Sequence, residues 1–290
     1  MANSSSPGPV PGLAALAPRY DALLCDVWGV LHNGVASFAP ARAALTAFRA
    51  GGGTVVLITN APRTSHYIVE QIAELGVEAD CYDAIVTSGD VTRGLLAGHA
   101  PGKLHHIGNE QQMSLYDGLD LTLVGAAEAD IIGCTGLRDD LHETPADYEA
   151  ELAALAARGL PFVCANPDLV VERGHQLVYC AGALAARYEA LGGQTFVAGK
   201  PHAPIYDAAL ERVAAVRGQA VPRERVLAIG DGAPTDLAGA FRQQIDVLFV
   251  TGGIHAGHFG PNDKPETGAV HRFLAAEQLG ATAFIPGLVW

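Results

Sequence analysis

Short apolar runs alternate with helical segments along the chain, and this alternation constrains the fold more than any other feature. Strands are predicted at Ala22–Val27, Thr54–Thr59 and Asp83–Thr87. The intervening segments Pro40–Ala50 and Thr64–Leu75 have helical periodicity. Strands that alternate with helices are typical of α/β proteins with a parallel sheet, and short continuous apolar runs suit strands covered on both faces. The sequence therefore predicts a doubly wound, Rossmann-like parallel sheet core.

The same pattern returns late in the chain, and the stretch between the two halves carries an alternation of its own. The late elements are strands Thr195–Ala198, Arg225–Ile229 and Asp246–Val250 and helices Pro204–Val216 and Thr235–Phe241. The intervening elements are strands Lys103–Ile107, Leu121–Val124, Ala129–Cys134 and Leu160–Cys164 and helix Ala146–Arg158. About 100 residues suffice for a small independent domain. We therefore predict a disordered tail (1–12), a Rossmann-like core (13–90 and 194–290) and an inserted α/β cap domain (91–193).

Composition excludes several classes of protein. Of the 290 residues, 49% are hydrophobic and 17% charged, and no window approaches the roughly 20 uninterrupted apolar residues of a membrane span. The formal net charge of −13 repels nucleic-acid backbones and anionic lipid. Five scattered cysteines without a CxxC pair indicate reduced, buried thiols. We expect a cytoplasmic protein that binds neither nucleic acid nor membranes, and homo-oligomerisation stays open.

Chemically versatile side chains follow four of the predicted core strands. They are Asp26 near the end of the first strand, Thr59 and Asn60 at the end of the second, Lys200 in the turn before a late helix, and Asp231 and Asp236 after another strand. The carboxyl ends of parallel strands share one edge of a sheet, and ligands bind there in open α/β folds. Together these residues offer a nucleophilic carboxylate, hydrogen-bonding groups for an anion, a cation and oxygen ligands for a hard metal ion.

This ordered set resembles the haloacid dehalogenase superfamily, mostly aspartate-dependent phosphohydrolases. Within it, the chain looks like subfamily IIA, the nitrophenylphosphatase-like branch with a large inserted α/β cap. The resemblance runs from about residue 22 to about residue 250. It implies that Asp26 is the nucleophile, that Thr59 and Asn60 contact the phosphoryl oxygens, and that Lys200 neutralises charge. The substrate implied is a small phosphorylated metabolite.

The resemblance also implies a metal site and substrate contacts. Mg²⁺ would be held by Asp26, by Asp231 and Asp236, and by the backbone carbonyl of Trp28. The substrate would be contacted by Asn166 and Asp168, in a cap loop that faces substrate in this branch, and by Gly29 and Ala61 in the core.

One position departs from the phosphatase pattern. The residue two after the nucleophile is normally a second Asp, which protonates the leaving oxygen and then activates water, and here it is Trp28. An indole N–H cannot shuttle a proton at neutral pH, and general acid–base catalysis typically contributes about 10²–10⁴ in rate. We therefore expect reduced or narrow activity, and His32 is the candidate to replace the missing acid.

Two other functions stay open. A catalytically silent protein that binds a phosphometabolite would keep the site and lack turnover. Carbon–halogen hydrolases of the same superfamily carry an aromatic residue at the Trp28 position and attack carbon without a metal. Against this last reading, Gly230-Asp231-Gly232 keeps the metal-site pattern, and this type of cap belongs to phosphatases. The sequence therefore favours an Mg²⁺-dependent hydrolase of small phosphate esters.

The glycine-rich run from Gly252 to Gly260 carries two histidines, His255 and His258. Their spacing in a flexible segment is weak evidence for metal ligation. We interpret the run as a surface loop over the active site.

Overall fold

The computed structural model describes residues 7–173, 176–261 and 264–290, in which strands and helices alternate. The strands are β1 (Gly8–Pro9), β2 (Ala22–Asp26), β3 (Thr54–Thr59), β4 (Ala84–Thr87), β5 (Gly102–Ile107), β6 (Leu121–Leu123), β7 (Ile131–Cys134), β8 (Phe162–Cys164), β9 (Val170–Arg173), β10 (Gln176–Tyr179), β11 (Thr195–Val197), β12 (Val226–Gly230), β13 (Asp246–Val250) and β14 (Ala283–Ile285). The α-helices are α1 (Ala39–Ala50), α2 (Ser65–Glu74), α3 (Ser88–Ala97), α4 (Glu149–Ala157), α5 (Ala181–Ala190), α6 (Ala203–Arg217), α7 (Ala238–Gln243) and α8 (Thr267–Ala276).

Seven strands form the core sheet, in the order β1-β14-β13-β12-β2-β3-β4. From β2 the chain adds strands first on one side and later on the other, which is the doubly wound arrangement. Strands β2, β3 and β12 are buried along their whole length because they lie in the middle of the sheet. The predicted fold class is confirmed, and the structure supplies the strand order that the sequence left unassigned.

A second sheet has the order β11-β8-β7-β5-β6, and all four of its pairings are parallel. Separate hydrophobic clusters include its residues, one with Phe162 stacked on Tyr188 at a ring distance of 5.0 Å and the other with Leu104 and Tyr116. The Tyr188 hydroxyl donates to the carbonyl of Leu160 at 2.7 Å, so this buried polar group is satisfied. This sheet is the inserted α/β cap. It includes β11, so the prediction that Thr195–Ala198 is a core strand was wrong: β11 pairs with β8 of the cap. Strands β9 and β10 form a separate antiparallel hairpin.

The chain divides into two compact units. The core unit comprises Met1–Thr59, Val69–Val86 and Tyr206–Trp290, and the cap unit comprises Asn60–Ile68 and Thr87–Ile205. Residues 1–6 of the predicted tail lie outside the described residues. Strand β1, which also falls within the predicted tail, pairs in parallel with β14. Within the described part of the chain, no helix is long and apolar enough to cross a membrane.

The predicted helix Thr235–Phe241 differs from the observed structure. The chain forms a π-helical turn, Ala233–Leu237, before α7 begins. The backbone N–H groups of Asp236 and Leu237 both donate to the carbonyl of Gly232, at 2.8 and 3.1 Å. The wider turn matters for function because Asp236 lies within it. Helical periodicity does not report such a local widening.

Candidate active site

Three carboxylates converge at the carboxyl edge of the core sheet. In the sheet register, Cys25 of β2 pairs with Ile229 of β12, so Asp26 is level with the start of the loop that contains Asp231 and Asp236. One oxygen from each of the three carboxylates lies within 4.8 Å of the others, and all three residues are buried. The structure thus brings together three residues that the sequence predicted as metal ligands.

Backbone groups hold two of these carboxylates in place. Oδ2 of Asp236 accepts the N–H of Gly232 at 3.0 Å, within its own loop. Oδ2 of Asp231 accepts the N–H of Ile254 at 2.8 Å, from the loop after β13. Because charge-assisted hydrogen bonds are strong and directional, they restrict where each carboxylate points.

Glycines surround the carboxylates because side chains would not fit. A Cβ at Gly29 or at Gly253 would overlap the carboxylate of Asp231, and a Cβ at Gly230 would overlap that of Asp236. Gly29 also has a φ of 79°, which favours glycine over other residues. Gly29, predicted as a substrate contact, is therefore also required for space beside Asp231.

The carboxylate triad suits a hard divalent cation. Three buried carboxylates this close repel one another, and a cation between them offsets the repulsion. Carboxylate oxygens are the protein ligands that Mg²⁺ prefers. The assignment of the Trp28 carbonyl as a further ligand stays a prediction.

A second group of predicted site residues lies in the cap unit and is organised by Asn60. Its Oδ1 accepts the backbone N–H of Lys200 at 2.7 Å, and its Nδ2 donates to the carbonyl of Lys200 at 3.1 Å. The same Nδ2 donates to Oδ1 of Asp168 at 2.9 Å. The Asn60 amide therefore fixes the backbone of Lys200 and the carboxylate of Asp168, residues that lie 140 and 108 positions further along the chain.

The predicted cap loop has an ordered turn. Oδ1 of Asn166 accepts the backbone N–H of Asp168 at 3.0 Å, which is a local side-chain turn. Gly182 at the start of α5 has no room for a Cβ because the carbonyls of Pro167 and Asp168 lie against it. The loop is thus held both by Asn60 and by α5, and its role toward substrate stays a prediction.

Thr59 and Ala61 flank Asn60 in sequence. Thr59 is the last residue of β3 and is buried; its neighbour Ile58 pairs with Asp26, so Thr59 also lies at the carboxyl edge of the core sheet. The carbonyl of Ala61 accepts the N–H of Gly89 at 3.1 Å.

Trp28 and His32 pack against each other in the turn that follows Asp26. Their rings are 5.2 Å apart and nearly perpendicular. Trp28 is 40% exposed, whereas His32 is buried. Nδ1 of His32 accepts the N–H of Gly34 at 3.0 Å, so a neutral His32 carries its proton on Nε2. Burial lowers the pKa of His32, which favours this neutral form.

The loop after β13 contributes contacts that single-residue patterns did not predict. Besides the bond from Ile254 to Asp231, Nε2 of His255 accepts the N–H of Ala233 at 3.2 Å. The imidazole also packs on the ring of Phe273 at 4.9 Å. The loop therefore braces the segment Asp231–Ala233, and the glycine doublet before Ile254 is its signal in the sequence.

Two family models match the chain. One, described as haloacid dehalogenase-like hydrolase, matches residues 23–122, and the other, described as HAD-hydrolase-like, matches residues 197–276. The first range contains Asp26 and Thr59, and the second contains Lys200, Asp231 and Asp236. No curated protein matches the chain.

Solved structures resemble the chain over most of its length. A hydrolase of the haloacid dehalogenase-like family from Brucella suis is 49% identical, with a TM-score of 0.85 over 97% of this chain and 100% of that one. A glycerol phosphate phosphatase from Mycobacterium tuberculosis, in complex with magnesium, is 28% identical, with a TM-score of 0.64 over 82% of this chain and 70% of that one. The p-nitrophenyl phosphatase from Archaeoglobus fulgidus shares the fold at 17% identity, with a TM-score of 0.73 over 93% and 97% of the two chains.

Proposed function

Because the chain belongs to the haloacid dehalogenase-like hydrolases, we propose that it hydrolyses small phosphate esters through an aspartyl-phosphate on Asp26, with Mg²⁺ as cofactor. The buried triad of Asp26, Asp231 and Asp236 carries the proposal, since three converging carboxylates provide both a nucleophile and a metal site. Two similar structures support it: one is a glycerol phosphate phosphatase in complex with magnesium and the other a p-nitrophenyl phosphatase.

The reaction divides into two displacements at phosphorus. A carboxylate oxygen of Asp26 attacks, the ester P–O bond breaks, and the leaving oxygen departs with the electron pair. Water then attacks the aspartyl-phosphate, which releases inorganic phosphate and regenerates Asp26. A covalent intermediate splits one difficult step into two easier ones.

The triad would hold the Mg²⁺ ion, together with the backbone carbonyl of Trp28. When bound, the cation supplies positive charge that stabilises the developing charge on the phosphoryl oxygens. The chain's own contribution is to hold Asp26 and Asp231 in place, through the sheet register and the Ile254 N–H.

Thr59, Asn60 and Lys200 would bind and position the phosphoryl group. We assign hydrogen bonding to the hydroxyl of Thr59 and charge neutralisation to the ammonium of Lys200. The amide of Asn60 already bonds to the Lys200 backbone and to Asp168, so its contribution is to position these groups. Phosphoryl transfer depends mainly on positioning and electrostatic stabilisation, and this arrangement serves both.

Substrate selection would fall to the cap, residues 91–193, and to two positions outside that range. In the cap, Asn166 and Asp168 are the proposed contacts. Gly29, in the core unit, and Ala61, directly after β3, are the other proposed contacts. The substrate class is a small phosphorylated metabolite.

The leaving oxygen lacks the usual acid, since Trp28 stands where an Asp is normal. His32 is the proposed substitute, yet its buried, neutral imidazole is a weak proton donor at neutral pH. We therefore propose a narrow activity that favours leaving groups able to depart without protonation.

A phosphate-release screen with and without Mg²⁺ tests the proposal. The panel comprises 4-nitrophenyl phosphate, acetyl phosphate, glycerol phosphate and a sugar phosphate, with Asp26→Asn as the control variant. Mg²⁺-dependent release that Asp26→Asn abolishes supports the proposal. Metal-independent halide release from 2-chloropropionate would instead identify a carbon–halogen hydrolase, and phosphonate binding without turnover would identify a silent binding protein.

A further inference from the structure

Trp28 combines exposure with a fixed position two residues after the proposed nucleophile. The indole is 40% exposed, although its neighbour Val27 is buried. Tryptophan is enriched at binding interfaces, because a large rigid ring offers contact area at low entropic cost.

Two residues of the turn that follows Asp26 contact the indole of Trp28. Gly34 lies against the edge of the ring, and the imidazole of His32 packs against it. Gly34 lies so close to Cη2 of Trp28 that a Cβ there would overlap the indole. The ring also meets the imidazole of His32 edge to face, 5.2 Å away. Gly34 and His32 are themselves joined by a hydrogen bond of 3.0 Å. The indole is therefore an ordered surface rather than a freely rotating side chain.

The segment around Trp28 carries no charged side chain, and its polar members are His32, Asn33 and Ser37. No Asp, Glu, Lys or Arg occurs between Val27 and Phe38. The same segment exposes Val35 and Phe38 to solvent. A charged leaving group would find no ion-pair partner on this segment, whereas a flat apolar one would bury surface against its exposed apolar side chains.

We propose that Trp28 forms a leaving-group subsite on which an aromatic ring stacks, and that the preferred substrates are aryl phosphates. The inference rests on the proposed phosphatase function and narrows its substrate class. Two consequences of having Trp28 at this position lead to the same chemistry. The absence of the usual Asp selects a leaving group that departs as an anion, and the exposed indole selects an aromatic one. An acyl phosphate satisfies the first requirement but has no ring to stack.

The proposed reaction balances without a protein acid. Asp26 attacks phosphorus, the aryl oxygen leaves as a phenolate with the electron pair of the P–O bond, and solvent supplies its proton. Water then cleaves the aspartyl-phosphate, its oxygen joins phosphorus, and its surplus proton passes to solvent. The products are a phenol and inorganic phosphate.

A comparison of aryl with acyl substrates isolates stacking from leaving-group ability. We would measure kcat/KM for phenyl phosphate, 4-nitrophenyl phosphate and acetyl phosphate with Mg²⁺ in wild type, Trp28→Leu and Trp28→Phe. The aryl-to-acetyl ratio should fall about tenfold in Trp28→Leu and recover in Trp28→Phe. Trp290→Leu is the matched control, because Trp290 is comparably exposed at 47% and lies at the end of the chain. Its ratio should equal that of wild type.

Fluorescence gives a readout that needs neither turnover nor a change at Trp28. The chain has two tryptophans, so Trp290→Phe leaves Trp28 as the single emitter. With Mg²⁺ present, phenylphosphonate should change the emission of Trp28 in a saturable manner. Methylphosphonate, which carries the same phosphonate group without the ring, should bind about tenfold more weakly and leave the emission unchanged.

The outcomes separate this inference from the function on which it rests. Equal aryl-to-acetyl ratios in wild type and a folded Trp28→Leu variant would overturn the subsite while leaving the phosphatase function intact. Should Trp28→Leu fail to fold, equal affinities of Trp290→Phe for the two phosphonates would overturn it. If no ester is hydrolysed yet phenylphosphonate still binds more tightly and changes the emission, the subsite stands and the phosphatase function fails.

Discussion

The backbone N–H of Ile254 donates a hydrogen bond of 2.8 Å to Oδ2 of Asp231, across 23 residues of sequence. The loop after β13 thus fixes one carboxylate of the proposed metal site. The adjacent His255 accepts the N–H of Ala233 at 3.2 Å, so consecutive residues of this loop hold both ends of the segment Asp231–Ala233. Burial, reinforced by the neighbouring His258, lowers the pKa of His255 and keeps its ring nitrogen available as an acceptor.

A methyl group at Gly253 should disrupt this arrangement. The new Cβ would overlap the Asp231 carboxylate, so Gly253→Ala should displace that ligand and abolish the rise in melting temperature that Mg²⁺ causes. Gly257→Ala is the control, because nothing lies within 4 Å of a Cβ at that position of the same loop. Thermal unfolding with and without Mg²⁺ measures both variants. A normal Mg²⁺ response in Gly253→Ala would show that the loop does not constrain Asp231.

Mg²⁺ should stabilise the wild-type chain through the carboxylate triad. At a hundredfold excess over its dissociation constant, a ligand of the folded state contributes about 2.7 kcal/mol to the free energy of unfolding. Asp231→Asn removes one negative ligand and should abolish this gain, whereas Asp207→Asn, on an exposed helical surface, should keep it. A wild-type melting curve that Mg²⁺ leaves unchanged would contradict the proposed metal site.

Much of the fold could be predicted because buried parallel strands leave a strong local pattern. The bounds of β3 and β13 agree with the predicted Thr54–Thr59 and Asp246–Val250, and most other predicted elements differ by one or two residues. Local patterns failed where tertiary contacts decide the structure. Strand β1 consists of Gly8 and Pro9, which have low strand propensity, and it forms through pairing with β14. Helix α5 was not predicted, and it begins with Ala-Gly-Ala. Its Gly182 is required because the carbonyls of the cap loop leave no room for a Cβ.

The composition of the candidate site could be predicted, but its internal bonding could not. Motif order placed Asp26, Asp231 and Asp236 at one sheet edge, and the structure brings their oxygens together. The bonds from Asn60 to Lys200 and Asp168 join residues more than 100 positions apart, and no spacing rule reports such pairs. The family resemblance implies that Asn60 contacts phosphate, which stays a prediction, and the structure adds that its amide bonds to Lys200 and Asp168.

The cap loop should influence substrate choice without affecting the metal site. Asp168→Ala removes one of the two acceptors of the Asn60 Nδ2 and should change the ranking of phosphate esters, whereas Asp168→Asn keeps an acceptor oxygen and should change it less. Asn166→Ala removes the turn bond to the Asp168 N–H and should also alter the ranking. Initial rates over the substrate panel give the ranking, and the Mg²⁺ shift in melting temperature should persist in all three variants. An unchanged ranking in both alanine variants would mean that the loop is only a structural turn.

The stability of the protein should fall as the pH drops below about 6.5, partly through His106. Burial, with smaller contributions from His105 and Arg138, lowers the pKa of His106 to about 4. The unfolded chain therefore binds a proton that the folded chain excludes, and the stability present above the unfolded pKa is lost as the pH approaches the folded one. Between about pH 6.5 and about pH 5, this linkage costs about 1.5 kcal/mol.

A variant without the imidazole isolates this contribution. His106→Gln can still bond to the hydroxyl of Thr135, which lies 3.0 Å from Nε2 of His106. Its free energy of unfolding, measured by urea denaturation, should therefore fall by about 1.5 kcal/mol less than that of wild type over the same pH range. Parallel pH dependences in the two proteins would exclude His106 as the source.

Restoring an acid at Trp28 should extend the activity to poor leaving groups. An alkoxide departs with difficulty unless it is protonated, and a carboxyl group at this position is the usual donor in phosphatases of this family. Trp28→Asp should therefore hydrolyse glycerol phosphate faster than Trp28→Asn, by about 10²–10⁴ if the new carboxyl group reaches the leaving oxygen. The asparagine variant is a matched control, since it has nearly the same size and loses the same indole packing but cannot transfer a proton. The stability cost in both should stay below the roughly 3–5 kcal/mol typical of a core Trp truncation, because Trp28 is 40% exposed. Equal rates in the two folded variants would mean that another residue supplies the acid, and His32→Gln in the wild-type background should then remove the remaining activity.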